Sequence, residues 1–189
     1  KATLWNDNIL QIKTLFTLIT ALLVPALITP AAFSQDKPIA QGLATTTTVD
    51  DSYKFDSVGE FQVGACKAYS YKMTSQTWQG APWTHWLSIL VPADVDHTDA
   101  AVLFITGGSA SSSQPQADSA EAQLFGVIAT MSKSPVAILQ QVPNQPLHDG
   151  LREDDLIAFT FDKYLTNQGD DWPLLIPMVE SARRAMDTV

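Results

Sequence analysis

The sequence predicts an α/β fold: an antiparallel hairpin at one edge, followed by strands that alternate with helices. Three observations predict it. Alternating apolar and polar residues run from Lys67 to Val91, broken by the turn residues Gln79-Gly80-Ala81-Pro82. Two short, continuous apolar runs follow, AVLFIT at Ala101–Thr106 and PVAILQ at Pro135–Gln140, the pattern of strands in a parallel sheet. Three segments with helical apolar spacing lie after the first run.

The elements follow in order. Residues 15 to 28 carry no charge, Lys13 stands just before them, and Ala32-Phe33-Ser34 supplies small residues for cleavage after Ser34. Residues 1–34 are therefore expected to be an export signal, giving a periplasmic or extracellular protein. The apolar run is shorter than the ~20 residues that span a bilayer, and Pro25 interrupts it; no stable membrane span is expected once the signal is cleaved. Residues 35–60, rich in Asp, Thr, Gln and Gly, are expected to be an extended linker, and 61–189 the folded part.

In the hairpin, Tyr69, Tyr71 and Met73 alternate on one strand and Leu87, Ile89 and Val91 on the other, before Pro92. Ala101–Thr106 reads as a strand buried on both faces and ends at Gly107-Gly108. A helix is expected over Asp118–Met131, with Asp118 and Glu121 as a capping-box variant and Ala120, Leu124, Val127, Ile128 and Met131 as its inner stripe. The second apolar strand closes at Pro143. Arg152–Leu165 reads as an amphipathic helix whose Glu153, Asp154 and Asp155 suit the positive end of the helix dipole. A last helix opens at Pro173 and runs to Val189, with Leu174, Leu175, Met178, Val179, Ala182, Met186 and Val189 apolar, and Arg183 and Arg184 on its polar face. It stops without a cap or a breaker, and position 1 is Lys rather than Met, so the chain reads as a truncated piece of a longer protein.

Composition narrows the function. Of the 189 residues, 46% are hydrophobic and 16% charged, which excludes general disorder and a Glu/Lys coiled coil. A formal charge of −9 argues against a nucleic-acid partner, which demands clustered Lys and Arg. With Cys66 as its single cysteine the chain has no internal disulfide.

The phosphate-loop templates fail at Gly107-Gly108-Ser109-Ala110-Ser111-Ser112-Ser113. His85, His97 and His148 sit in separate segments without metal-ligand spacing, and no cofactor or metal is expected. Trp78, Trp83 and Trp86 are candidates for stacking on a sugar, with core packing the plainer reading. No small-x-Ser-x-Gly elbow joins a strand to a helix. What the sequence does offer is a glycine loop after a strand, Gly107, Gly108 and Ser109, where backbone amides can approach a developing oxyanion. An ordinary glycine turn explains the same residues equally well.

Several long strings, YKMTSQTWQG (Tyr71–Gly80), QVPNQPLHDG (Gln141–Gly150), EDDLIAFTFDKYL (Glu153–Leu165) and WPLLIPMVESARRAMDTV (Trp172–Val189), together with ITGG at Ile105–Gly108, resemble the PhoPQ-activated pathogenicity-related proteins. The resemblance implies an exported protein with the N-terminal part of an α/β-hydrolase fold, its sheet incomplete in this chain. It further implies a serine hydrolase acting on an ester, amide or peptide bond of an unidentified small molecule or peptide. In that family a Gly-[Ala/Thr]-Ser-Lys-Arg-Gly elbow follows soon after the helix that ends here, and the acid and histidine lie beyond it. No nucleophile, acid or base therefore falls in this sequence, and the fragment alone is expected to be inactive. Only Gly107-Gly108 carries over, as an oxyanion loop. A secreted, non-catalytic signalling or binding protein on the same fold is the alternative.

Overall fold

The computed structural model describes residues 51–189. The expected export signal and most of the expected linker lie outside the described residues. The elements are β1 (Lys54–Val63), β2 (Cys66–Trp78), β3 (Ala81–Pro92), β4 (Val102–Ile105), α1 (Ala120–Ser132), β5 (Val136–Leu139), α2 (Glu153–Leu165) and α3 (Leu175–Thr188). They form the expected α/β arrangement: one five-stranded sheet in the order β1-β2-β3-β5-β4, antiparallel up to β5 and parallel between β5 and β4.

The β2–β3 hairpin turns where the sequence places it. Gln79 and Gly80 both take positive φ, 48° and 76°, the conformation that matches the twist of a tight hairpin. Pro82 lies inside β3, opposite Thr77. β1 enters a stretch that reads as linker, since residues 54–60 pair with β2 from Lys54↔Thr74 onward, with a register shift between Ser57 and Gly59. Its residues are exposed over most of its length and its Lys, Asp and Glu break any apolar alternation. Backbone pairing makes this strand, and its charges suit an edge.

Of the two apolar runs, the second is the deeply buried one. β5 is buried along its whole length, whereas β4 is half-exposed at the sheet edge, with Val102 41% and Ile105 50% exposed. Position explains this: β5 lies between β3 and β4, and β4 has one neighbour among the described strands. The expectation of double-sided burial at Ala101–Thr106 is thus corrected.

α1 packs on one face of the sheet, but of the expected inner stripe only Ile128 meets the core, and the rest of the contact is made by other residues. Ala122, Phe125, Gly126 and Ala129 are buried, while Leu124, Val127 and Met131 are exposed. Small residues bring the helix close to the strands, and Phe125 stacks on Phe104 of β4 at 4.3 Å between centroids. The cap is also one residue later than expected: the Ser119 hydroxyl accepts from Ala122 N–H at 3.2 Å. A Cβ on Gly126 would sit 2.9 Å from Val63 Cγ1. Gly126→Ala should therefore destabilise by about 1–2 kcal/mol, overpacking outweighing the gain in helix propensity. A melting temperature equal to or above the parent's would contradict this close approach.

α3 covers the other face, against Met73, Leu87, Ala137 and Leu139, and is likewise turned from the expected orientation. Glu180, Ser181 and Arg184 face inward, while Leu175, Val179, Met186 and Val189 are exposed. Paired charges permit the polar face to be buried. Arg184 Nε lies 2.8 Å from Glu180 Oε1 and Arg184 Nη1 3.0 Å from Asp187 Oδ2, and the guanidinium sits 4.9 Å from the Tyr53 ring centre. A third cluster joins Trp78 and Trp83 to Leu156 of α2 and to Leu174.

Candidate functional site

At the end of the sheet where β4 and β5 finish, the two chains keep pairing for a few residues in an irregular way. Thr106 N–H donates to Leu139 O at 2.8 Å. The carbonyl of Thr106 then accepts from Val142 N–H at 3.1 Å, and that of Gly107 from Gln141 N–H at 2.9 Å. In a trans peptide the N–H opposes the C=O. Because both carbonyls turn toward Gln141–Val142, the amides of Gly107 and Gly108 both turn away from it. Neither donates a hydrogen bond among the described residues. Successive amides that share one side form an anion-receptive concavity. Gly108 has φ +127°, a backbone state that a side chain would strain.

Ser109, the third loop candidate, is differently committed. Its N–H donates to Ser112 Oγ at 3.3 Å, its carbonyl accepts from Gln141 Nε2 at 2.8 Å, and its hydroxyl lies 2.9 Å from Ser111 Oγ. Gln141 is the peg of the assembly. It is 1% exposed, and its Oε1 also accepts the backbone N–H of Trp86 in β3 at 3.2 Å. Trp86 in turn donates from Nε1 to Ser112 O at 2.9 Å, and the Lys72 ammonium lies 4.2 Å from the centre of its ring. Burial holds the Lys72 amine below its ordinary pKa.

The loop from Gln141 to Gly150 is anchored just as firmly. Asn144 Nδ2 donates to Thr84 O at 2.6 Å, and Ala110 N–H to Gln145 O at 2.7 Å. The Gln145 side chain and Glu153 pair reciprocally: Nε2 donates to Oε1 at 2.6 Å, and Glu153 N–H to Gln145 Oε1 at 2.9 Å. This ties the start of α2 to the loop. Glu153 therefore holds a neighbour as well as standing at the helix dipole.

Beside the glycine loop lies a cleft of about 320 Å³, lined by residues 112–116, Asp118, Ser119, Gln140 and Gln141. Its floor is braced by Glu121 of α1, which accepts from Gln140 Nε2.

The histidines do not meet here. His85 is fully buried, with Nε2 3.0 Å from Ser75 Oγ and Nδ1 3.2 Å from Gln140 O. The carbonyl requires the proton on Nδ1, so Nε2 accepts from the Ser75 hydroxyl. Ser75 also lies 3.0 Å from Ser181 Oγ on α3. The Ser75–His85 spacing is that of a nucleophile and its base, but both residues are sealed from solvent, and burial lowers the imidazole to a pKa of about 4. Their work is to join β2, β3, α3 and the Gln140 backbone.

His148 packs among Trp78, Phe159 and Trp172 at 4.9–5.7 Å, and burial lowers its pKa. His97 is exposed in the connection between β3 and β4. Trp78 and Trp83 are buried core residues, so neither offers an open ring to a sugar. Cys66 is buried and donates to Gly126 O at 3.3 Å.

The structure thus brings Gly107, Gly108 and Ser109 together with Gln141 and Trp86, two residues that sequence reasoning missed in this role. Gln141 belongs to no chemical motif; its signal was membership of the QVPNQP string. No helix among the described residues is long and apolar enough to cross a membrane.

The family of PhoPQ-activated pathogenicity-related proteins matches residues 44–189. Among curated proteins, autocrine proliferation repressor protein A of Dictyostelium discoideum is 31% identical over 151 residues, which cover 74% of this chain and 30% of that protein. The chain thus spans less than a third of that relative's length. No solved structure matches it significantly.

Proposed function

This chain belongs to the family of PhoPQ-activated pathogenicity-related proteins, and from that premise we propose that it forms the N-terminal, oxyanion-binding portion of an exported serine hydrolase. The observation that carries the reading is the pair of unpartnered, same-facing amides of Gly107 and Gly108 at the end of a parallel strand. A serine supplied by a later segment attacks the carbonyl of an ester, amide or peptide bond. A histidine takes the serine proton, and the carbonyl oxygen becomes an anion that the two amides receive. Expulsion of the leaving group, which takes that proton, gives an acyl-enzyme that water then cleaves.

The test is fluorophosphonate labelling of the full-length protein. Labelling of one serine is expected. Gly107→Ala keeps the amide, and its Cβ meets nothing within 4 Å, so labelling should stay within a few-fold of the parent. Gly107→Pro deletes the N–H and should slow labelling by about 10²-fold. The melting temperatures of both variants separate this from misfolding. Equal labelling of both variants would remove the amide from the mechanism.

The second reading, a secreted regulator without catalysis, is favoured by the name of the Dictyostelium relative, a repressor of proliferation. A well-folded full-length protein that takes no fluorophosphonate would favour it.

A further inference from the structure

We propose that the cleft beside the glycine loop receives the acyl side of the substrate and selects a polar, amide-bearing, non-anionic group of the kind a peptide presents. This rests on the hydrolase reading above and names the substrate class of that same site. The cleft adjoins the loop directly: a Cβ built on Gly108 lies 3.8 Å from both Ser112 Oγ and Gln141 Cγ, and both of these residues line the cleft. Its volume of about 320 Å³ is at the small end of ligand sites.

The walls decide the chemistry. They carry hydroxyls, side-chain amides and one carboxylate, with Pro115 as the single apolar side chain. An alkyl chain would cover Pro115 and the methylene stems of these side chains, but it would return no hydrogen bond to the hydroxyl, amide and carboxylate tips it covered, which costs free energy for each one. An anion would meet the Asp118 carboxylate, and no Lys or Arg lines the cleft to receive it. The hydroxyl of Ser113, the side-chain amide of Gln114 and the carboxylate of Asp118 make no hydrogen bond among the described residues, so they are open to a ligand. A Gln side chain presents a donor and an acceptor in one plane. A ligand amide answers both from one rigid plane, a fit that a sugar must assemble from rotatable hydroxyls.

The test has two arms on the full-length protein. In the kinetic arm, the 4-nitrophenyl esters of N-acetylglycine, octanoate and succinate are compared. The N-acetylglycyl ester should have the highest kcat/KM by about tenfold or more, and Gln114→Leu, with melting temperature unchanged, should shrink its lead over octanoate. An octanoyl or succinyl ester used equally well, or a lead untouched by Gln114→Leu, would overturn the proposal. In the binding arm, N-acetylglycine methylamide, octanoate and methyl glucoside are titrated while tryptophan fluorescence is followed. Trp86, bonded to Ser112 at the cleft wall, is the reporter, and Trp86→Phe is the control. A saturable change with the amide alone supports the proposal; no change with the amide, or an equal response to octanoate or glucoside, overturns it. Absence of fluorophosphonate labelling would defeat the hydrolase reading while the binding arm still judged the cleft.

Discussion

Replacing Trp83 with Ala is expected to cost about 3–5 kcal/mol, the range for emptying a fully buried aromatic site. Trp83 has no exposed surface and packs edge-on against Trp78 at 5.7 Å, within the cluster that joins the β2–β3 hairpin to Leu156 and Leu174. Its indole N–H finds no acceptor among the described residues, so Trp83→Phe forfeits volume but no hydrogen bond and should cost clearly less than the Ala variant. Trp86→Ala is the contrast. This ring is only half-buried, and its main polar tie is to the carbonyl of Ser112, so the loss should be about 1 kcal/mol. Denaturant titration of the three variants checks the ranking. Equal losses at Trp83 and Trp86 would mean that the cluster is not the core that the packing describes.

The second large effect is acid sensitivity centred on His85. Burial lowers its native pKa to about 4 against 6.5 for the free side chain, outweighing the opposing pull of the Gln140 and Gln141 backbone. A group whose native pKa is lowered in this way binds its proton first in the unfolded chain. The native state therefore keeps its full stability above pH 6.5, and loses it as the pH falls from 6.5 to 4, by about 3 kcal/mol in total. The loss then levels off. Lys72 is the nearby cation that favours the neutral ring. Carboxylates titrate over part of the same range, so the measurement is a difference: urea midpoints of the parent and of His85→Asn at each pH. The parent's advantage should shrink as the pH falls through this window. A constant gap would show that His85 keeps its ordinary pKa.

Much of the fold was legible because periodicity reports existence better than direction. The hairpin, both apolar strands and all three helices stand where the apolar pattern places them. What the pattern misjudged was which face turns inward. On α1 the larger residues Leu124, Val127 and Met131 suggested the core face, yet Gly126 and Ala129 permit the closer approach to the sheet. On α3 an ion-paired Arg184 occupies the interior, and Val179 and Met186, the apolar residues of the pattern, are exposed. Size decided the first case; in the second, pairing with Glu180 and Asp187 within the helix and the distant Tyr53 ring let the guanidinium be buried, and only the Tyr53 contact lies beyond a window of sequence.

β1 was missed for a related reason: its pairing is backbone to backbone, and its side chains are mostly in water. At the site, the glycines marked the loop, but the residue that aims it did not stand out. Gln141 acts through contacts with residues 32 to 55 positions away, a separation at which an isolated glutamine carries no signal.

The fixing of the glycine loop also has a bearing on how the protein can change. Its amides are aimed by backbone carbonyls and by one glutamine from the loop after β5, so the serines at 111 and 113 contribute little to that aim. The cleft wall and the amide pair are thereby housed in separable stretches of chain. Ser111 and Ser113 can drift, or be randomised in a library, with the amide pair left in register. A lineage built this way could vary its cleft wall without disturbing the amide pair, and Gln141 would be less permissive than either serine.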